Sequence, residues 1–317
     1  MIAFVCALAP QEGDVAKWGV THPAKCGFVP VWSSDGKFLY GAGERNRKGV
    51  INVWDVGGKS REKEFKGKLE TLPGGYIAVE AAKDRIFGLA MSKDNVPHVE
   101  VLEDKRGEIL RTIVFKEKLT RATDLRASPD GIIVAVTDGD GKIGIADADD
   151  ATISYVIAVN VLGAGGYRCM AFDATSRKLA IGWGACQLFI WSCKEKRIER
   201  TVKLDGDATS VAFKPDGVTI AVGTQKKEVE VWDIDKGTRT RTLAGHGAPV
   251  TAAAWSPAGK WLVTADSGGG LFIWDAVKGD KLRSEAVASE SFTQVRWNLD
   301  SKWFVLVGKD NHVWGKK

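Results

Sequence analysis

Apolar residues alternate with polar ones along most of the chain, at a period of two. That is the spacing of half-buried β-strands and not of helices. Three stretches show it most clearly: residues 31–59, 211–238 and 253–280. Each runs as an apolar strand, a tight turn of Ser, Pro, Asp and Gly, a second apolar strand, a short polar loop, and a third strand ending in Trp-Asp. Weaker copies lie at 77–107, 125–150, 170–196 and 295–317. In these Leu102 or Ala146 replaces the tryptophan, Trp191 is followed by Ser192, or the chain stops soon after Trp314. The first turns fall at 33, 81, 128, 174, 214, 256 and 298. Their spacing of 40 to 48 residues is near the ~40–45 typical of four-stranded propeller blades.

The fourth strand of each unit follows the tryptophan position, at 63–67, 109–115, 151–159, 197–204 and 238–245. The last unit has no residues left for one. Residues 14–20 are a strand of suitable length ahead of the first unit, so the pattern predicts that they complete the seventh unit and close a ring. About 28 short strands are expected, at four per unit.

These features resemble the WD-repeat β-propeller family over roughly residues 14–317. The resemblance rests on Trp54-Asp55, Trp232-Asp233 and Trp274-Asp275, on the turns at 128–131 and 256–259, and on Gly245-His246. It implies an all-β fold: a single seven-bladed β-propeller of four-stranded antiparallel blades, with the ring closed by an N-terminal strand. The domain plan is an arm over 1–13 and the propeller over 14–317. The family pattern also implies a hydrogen-bonded His, Ser/Thr, Asp and Trp within a blade. His246, Thr264 and Trp274 fit it in the sixth unit, but Gly268 stands six residues before the tryptophan, where the pattern has Asp. The third unit has Asp140 there and no tryptophan. The set therefore reads as incomplete everywhere, with blades held mainly by apolar packing and less uniform than usual.

Composition supports the repeat. The 317 residues include 36 glycines and 12 tryptophans, residues for turns and for recurring packing positions. Trp54, Trp191, Trp232, Trp274 and Trp314 recur at one strand end, which marks them as packing residues and not a base-stacking platform. Lysine and arginine number 45 against 40 acids, a spread-out net charge of +5 that does not predict nucleic-acid binding. No apolar run reaches the ~18 residues of a membrane span. Five scattered cysteines do not form a disulfide scaffold, and Cys186 and Cys193 sit at opposite ends of one strand, too far apart to bridge. A short apolar start with Ala7-Leu8-Ala9 suggests a signal remnant over residues 1–9, but it lacks a basic leader and Pro10 follows. Cytoplasmic residence is the expectation, with export the alternative.

Candidate chemistry is sparse. Asp138-Gly-Asp140-Gly suits a hairpin turn better than a calcium loop, because Lys142 and the lack of a matching Glu spoil the ligand set. His22, His98, His246 and His312 have no zinc spacing. No metal or cofactor is expected. By the family resemblance, loops joining second to third strands and fourth strands to the next unit share one face. On it lie Arg45, Arg47, Lys48, Lys93, Lys226, Lys227 and Lys309 as a broken basic rim, with ordinary solvated loop charge as the competing explanation. Tyr167 and Trp183 are placed on the same face as partner contacts, or else as core fillers. The leading function is a non-catalytic platform for a protein or peptide partner, working as a monomer or as a subunit of a larger complex. The alternative is a propeller hydrolase with a metal in its central channel.

Overall fold

The structure is a computed structural model. It describes residues 18–23, 28–45, 48–55, 60–115, 119, 122–138, 140–157, 166–287, 291–308 and 312–316. Among these residues every regular element is a strand.

Seven four-stranded antiparallel blades follow in order. Blade 7 begins with the earliest strand, β1 (Trp18–Pro23). Blade 1 is β2 (Phe28–Trp32), β3 (Phe38–Arg45), β4 (Lys48–Asp55) and the first part of β5 (Ser60–Ala82). Blade 2 is the rest of β5 with β6 (Arg85–Ser92), β7 (Pro97–Glu103) and β8 (Ile109–Val114). Blade 3 is β9 (Ala122–Ala127), β10 (Ile133–Asp138), β11 (Ile143–Asp147) and β12 (Ile153–Ile157). Blade 4 is β13 (Tyr167–Phe172), β14 (Lys178–Trp183), β15 (Gln187–Ser192) and β16 (Arg197–Lys203). Blade 5 is β17 (Ala208–Phe213), β18 (Thr219–Thr224), β19 (Glu228–Asp233) and β20 (Thr238–Ala244). Blade 6 is β21 (Val250–Trp255), β22 (Trp261–Asp266), β23 (Gly270–Asp275) and β24 (Lys281–Ala286). Blade 7 is completed by β25 (Gln294–Trp297), β26 (Trp303–Val307) and β27 (His312–Lys316).

The described strands number 27 because β5 runs unbroken from blade 1 into blade 2 and serves both. Its pairing with β6 jumps register between Thr71 and Tyr76, where one blade hands over to the next. The amino-terminal strand completes the last blade as expected: Trp18 pairs with Lys316 and Val20 with Trp314. It occupies 18–23; residues 14–17 of the predicted 14–20, and the arm before them, lie outside the described residues.

The chain forms two compact units. One contains Cys26–Tyr167, with blades 1 to 3, and the other contains Arg168–Lys317 together with Met1–Lys25. The first turns begin within two residues of the predicted positions, the largest offset being in blade 2, where β5 runs on to Ala82 and the turn begins at Lys83. Ser128 Oγ accepts the Ile133 N–H at 2.8 Å, and Ser256 Oγ accepts the Trp261 N–H at 3.1 Å. The turn glycines Gly131 and Gly259 hold φ of 73° and 68°, a left-handed conformation that strains a side chain with a Cβ.

Burial follows strand position. β22 and β23 are buried almost throughout, since both faces of an inner strand pack against neighbouring blades. The outer β16 alternates exposed and covered residues, so polar side chains are tolerated there. In all of blades 1 to 6 the third and fourth strands slip register just before the tryptophan position, at Val53/Trp54, Val101/Leu102, Ile145/Ala146, Ile190/Trp191, Val231/Trp232 and Ile273/Trp274. The bulge survives where Leu102 or Ala146 has replaced the tryptophan. It therefore belongs to the twist of the blade and not to the side chain.

Within the Arg168–Lys317 unit, polar contacts repeat from blade to blade. Trp255 donates its indole N–H to Ala212 O, and Trp297 to Ala254 O, both at 3.1 Å. Thr209 and Thr251 donate their hydroxyls to Val250 O and Phe292 O. Arg200 and Arg241 reach the turn carbonyls of Asp235 and Val277 in the following blade, at 2.8 and 3.1 Å. Blade packing is thus directional as well as apolar.

Candidate functional site

Blade 6 carries a complete polar chain, which corrects the expectation of an incomplete set. Trp274 Nε1 donates to Thr264 Oγ1 at 2.8 Å. Thr264 Oγ1 lies 2.8 Å from His246 Nε2, and His246 Nδ1 lies 2.8 Å from Asp266 Oδ2. One arrangement satisfies every group: the threonine hydroxyl donates to Nε2, and the Nδ1–H donates to the carboxylate. Burial lowers the His246 pKa against the opposing pull of Asp266, consistent with a neutral ring. The acid is Asp266, eight residues before the tryptophan, and not position 268. Its Oδ1 also accepts the N–H groups of Gly268 and Gly270, at 2.9 and 2.8 Å. The loop before the blade and the turn between its second and third strands are therefore tied at one edge.

The same strand-end position is filled differently elsewhere. In blade 3 it is Asp138, not Asp140. Asp138 is buried and accepts the N–H groups of Asp140 and Lys142 at 3.0 and 2.9 Å, while Asp140 is exposed. Gly141 N–H donates to Asp138 O at 3.1 Å, a turn contact and not a calcium loop. In blade 4 the position holds Trp183.

Trp183 is 0% exposed, so it is a core filler and offers no surface to a partner. The reason is its register. It stands where Asp266 and Asp138 stand, at the end of the second strand as expected, but on its inward side. Tyr167 is half-buried, and its hydroxyl donates to Asp124 Oδ2 at 2.6 Å. Asp124 also accepts from Arg126 at 2.6 Å, and Arg126 lies 3.3 Å from Glu80. Burial alone would lower the Arg126 pKa, but Asp124 and Glu80 more than offset it and hold it above its ordinary value.

Of the basic rim, Lys48, Lys93, Lys226 and Lys227 are exposed. Lys48 and Lys93 belong to the Cys26–Tyr167 unit, Lys226 and Lys227 to the other. Arg45 lies in β3, with its side chain outside the described residues, and Arg47 and Lys309 are wholly outside them. Lys226 and Lys227 have mixed-charge surroundings: Arg168 lies 3.8 Å from Asp207, and Asp205 pairs with Arg239. The Asp207 carboxylate also takes the backbone N–H of Cys186 at 2.9 Å. Burial, then the Asp207 contact, raises the Cys186 thiol pKa. Cys169, Cys186 and Cys193 form no disulfide among the described residues. Among the described residues, no three His, Cys, Asp or Glu side chains gather to hold a metal.

Buried Glu230 and Glu100 carry no signal in the repeat pattern either. Glu230, 1% exposed, accepts the backbone N–H of Asp205 and the indole N–H of Trp232, both at 2.9 Å. Glu100 sits at the matching place in β7 and accepts the Tyr76 hydroxyl. The signal available outside that pattern was a glutamate in the middle of an apolar strand, in Val-Glu-Val, in both blades.

Residues 237–275 match the family described as WD domain, G-beta repeat. That span contains all four members of the blade 6 chain. Over that one repeat the chain is similar to WD-repeat proteins. Its curated relatives include Protein FIZZY-RELATED 2 of Arabidopsis thaliana, 33% identical over 76 residues, which are 23% of this chain and 16% of that protein. The B-type cell cycle switch protein ccs52B of Medicago truncatula is 32% identical over 76 residues, 23% of this chain and 15% of that protein. The match thus covers less than a sixth of the length of each of these two relatives.

Proposed function

We propose that this protein is a non-catalytic interaction platform whose loop face receives a protein or peptide partner. The observation that carries the reading is the blade 6 chain. His246 and Asp266 pin the incoming loop to the neighbouring turn, so these loops are ordered before a partner arrives. Preorganised loops lose less entropy on binding. Exposed Lys226 and Lys227 are the contact residues proposed on the Arg168–Lys317 unit. Lys48, Lys93 and half-buried Tyr167 are those on the Cys26–Tyr167 unit; the Arg45 side chain, Arg47 and Lys309 lie outside the described residues. Trp183 is buried and takes no part. The relatives include a cell cycle switch protein, but the shared stretch is repeat sequence. It supports a repeat-built platform and no particular pathway.

The test is native co-purification with identification of retained proteins. Charge reversal of Lys226 and Lys227 together to Glu lowers recovery of the partner at least about tenfold, a loss of about 1.4 kcal/mol. Undiminished recovery with the reversed protein would sink the site assignment.

A further inference from the structure

The outer strand of a blade is a sheet edge with unpaired backbone groups, and edges of this kind are usually blunted by charge. β16 follows that rule, exposing Arg197, Glu199, Thr201 and Lys203. β8 does not. It ends its sheet, and its exposed side chains include Leu110 at 50% and Val114 at 47%, on either side of half-buried Thr112.

The backbone of β8 is oriented to accept another strand. Phe115 N–H donates to Pro97 O at 2.9 Å, and the register pairs Ile113 with Val99 and Arg111 with Val101. In an antiparallel pair hydrogen-bonded residues alternate, so residues 111, 113 and 115 face β7. Thr112 and Val114 turn their N–H and C=O groups to the open side.

We propose that β8 is a self-association edge, where a second copy of this chain adds its own β8 antiparallel about a two-fold axis through Thr112. The strand is self-complementary in that register. Thr112 meets Thr112, and Leu110 of each copy meets Val114 of the other, so both exposed apolar side chains are covered. An axis through 111 or 113 would oppose backbone groups already used by β7. The contact centred on Thr112 is isologous and closes at two copies.

Sedimentation and light scattering of the intact chain over a concentration series test this. A monomer–dimer equilibrium is expected, and Val114→Lys or Thr112→Pro raises its Kd at least about tenfold with the unfolding midpoint unchanged. Proline is tolerated at Thr112 because the N–H it removes faces away from the blade. Thr242→Pro, at the matching place on β20, leaves the dimer intact. Thr112→Cys cross-links to itself on oxidation, since Cα atoms in a hydrogen-bonded pair lie about 5.5 Å apart, within disulfide reach; Thr242→Cys does not. A monomer at every concentration overturns the proposal. So does a dimer indifferent to Val114→Lys, equal cross-linking of the two cysteine variants, or capture of a different protein by β8 without self-association.

Discussion

Blades 2 and 6 occupy the same kind of sheet and secure it in opposite ways. Blade 6 uses a chain of four side chains in which every donor has an acceptor, from Trp274 through Thr264 and His246 to Asp266. Blade 2 has Leu102 at the tryptophan position and no such chain. Instead, Tyr76 is wholly buried with its hydroxyl on Glu100, and its ring fits between glycines. A Cβ on Gly88 would stand 2.5 Å from that ring, and one on Gly49 2.8 Å. His98, 1% exposed, lies in the same strand as Glu100 with neither ring nitrogen hydrogen-bonded among the described residues. A repeat can thus lose its signature and keep its fold, provided another side chain fills the volume. The polar accounts of the two solutions do not come out equal.

The contrast can be broken most strongly at Asp266. Asp266→Ala strands the His246 Nδ1–H and two turn N–H groups, and unfolding by urea should show a loss of about 3–4 kcal/mol. At Gly88 the comparison turns on shape. Gly88→Ala drives a methyl group into the Tyr76 ring and costs about 1–3 kcal/mol, whereas Ala for an open glycine such as Gly247, with nothing within 4 Å of its added Cβ, costs far less. A double-mutant cycle between Thr264→Val and Trp274→Phe should give a coupling of about 1–2 kcal/mol if the blade 6 chain acts as a unit. Additive effects would reduce the chain to separate contacts.

The smallest effect concerns pH. Burial lowers the pKa of His98, against Glu100, and of His246, against Asp266. A lowered histidine pKa means that the unfolded chain binds the proton first. The stability each ring contributes is complete above the ordinary value of 6.5 and drains away as pH falls from there toward the folded value. His98→Leu removes one of these two titrations and exchanges an unpaired buried ring for an apolar side chain. Its denaturation midpoint should therefore fall less steeply than the parent's between about pH 6.5 and pH 5. It should also be about 1 kcal/mol more stable near pH 6. An unchanged slope would place the pH sensitivity in blade 6 alone.

Much of this architecture was legible along the chain. The period-two alternation, the Ser-x-Asp-Gly turns and the Trp-Asp endings located every first turn to within two residues, blade 2 being the furthest off because its hairpin is tighter. The strand at Trp18–Pro23 was anticipated because the last unit lacked a fourth strand. The site was less legible. Asp266 was overlooked because counting back from Trp274 landed on Gly268, and the turn places the carboxylate two residues earlier. Trp183 was placed at the end of its strand, where it lies, but position along the chain left its two readings, partner contact and core filler, open, because facing depends on the neighbouring strands. Glu100 and Glu230 were passed over because a single glutamate does not interrupt an apolar pattern.

The sequence by itself determined the repeat, its phase and the strand that completes the last blade. These depend on local turn chemistry and on the period of two, both of which are written between near neighbours. Only the tertiary structure decided which polar side chains are satisfied. His246, Thr264 and Trp274 are separated by up to 28 positions in sequence and meet through hydrogen bonds of 2.8 Å. His98 sits in an equally apolar strand, and neither of its ring nitrogens is hydrogen-bonded among the described residues. Pairing of buried groups depends on distances across strands and blades, which no local pattern specifies.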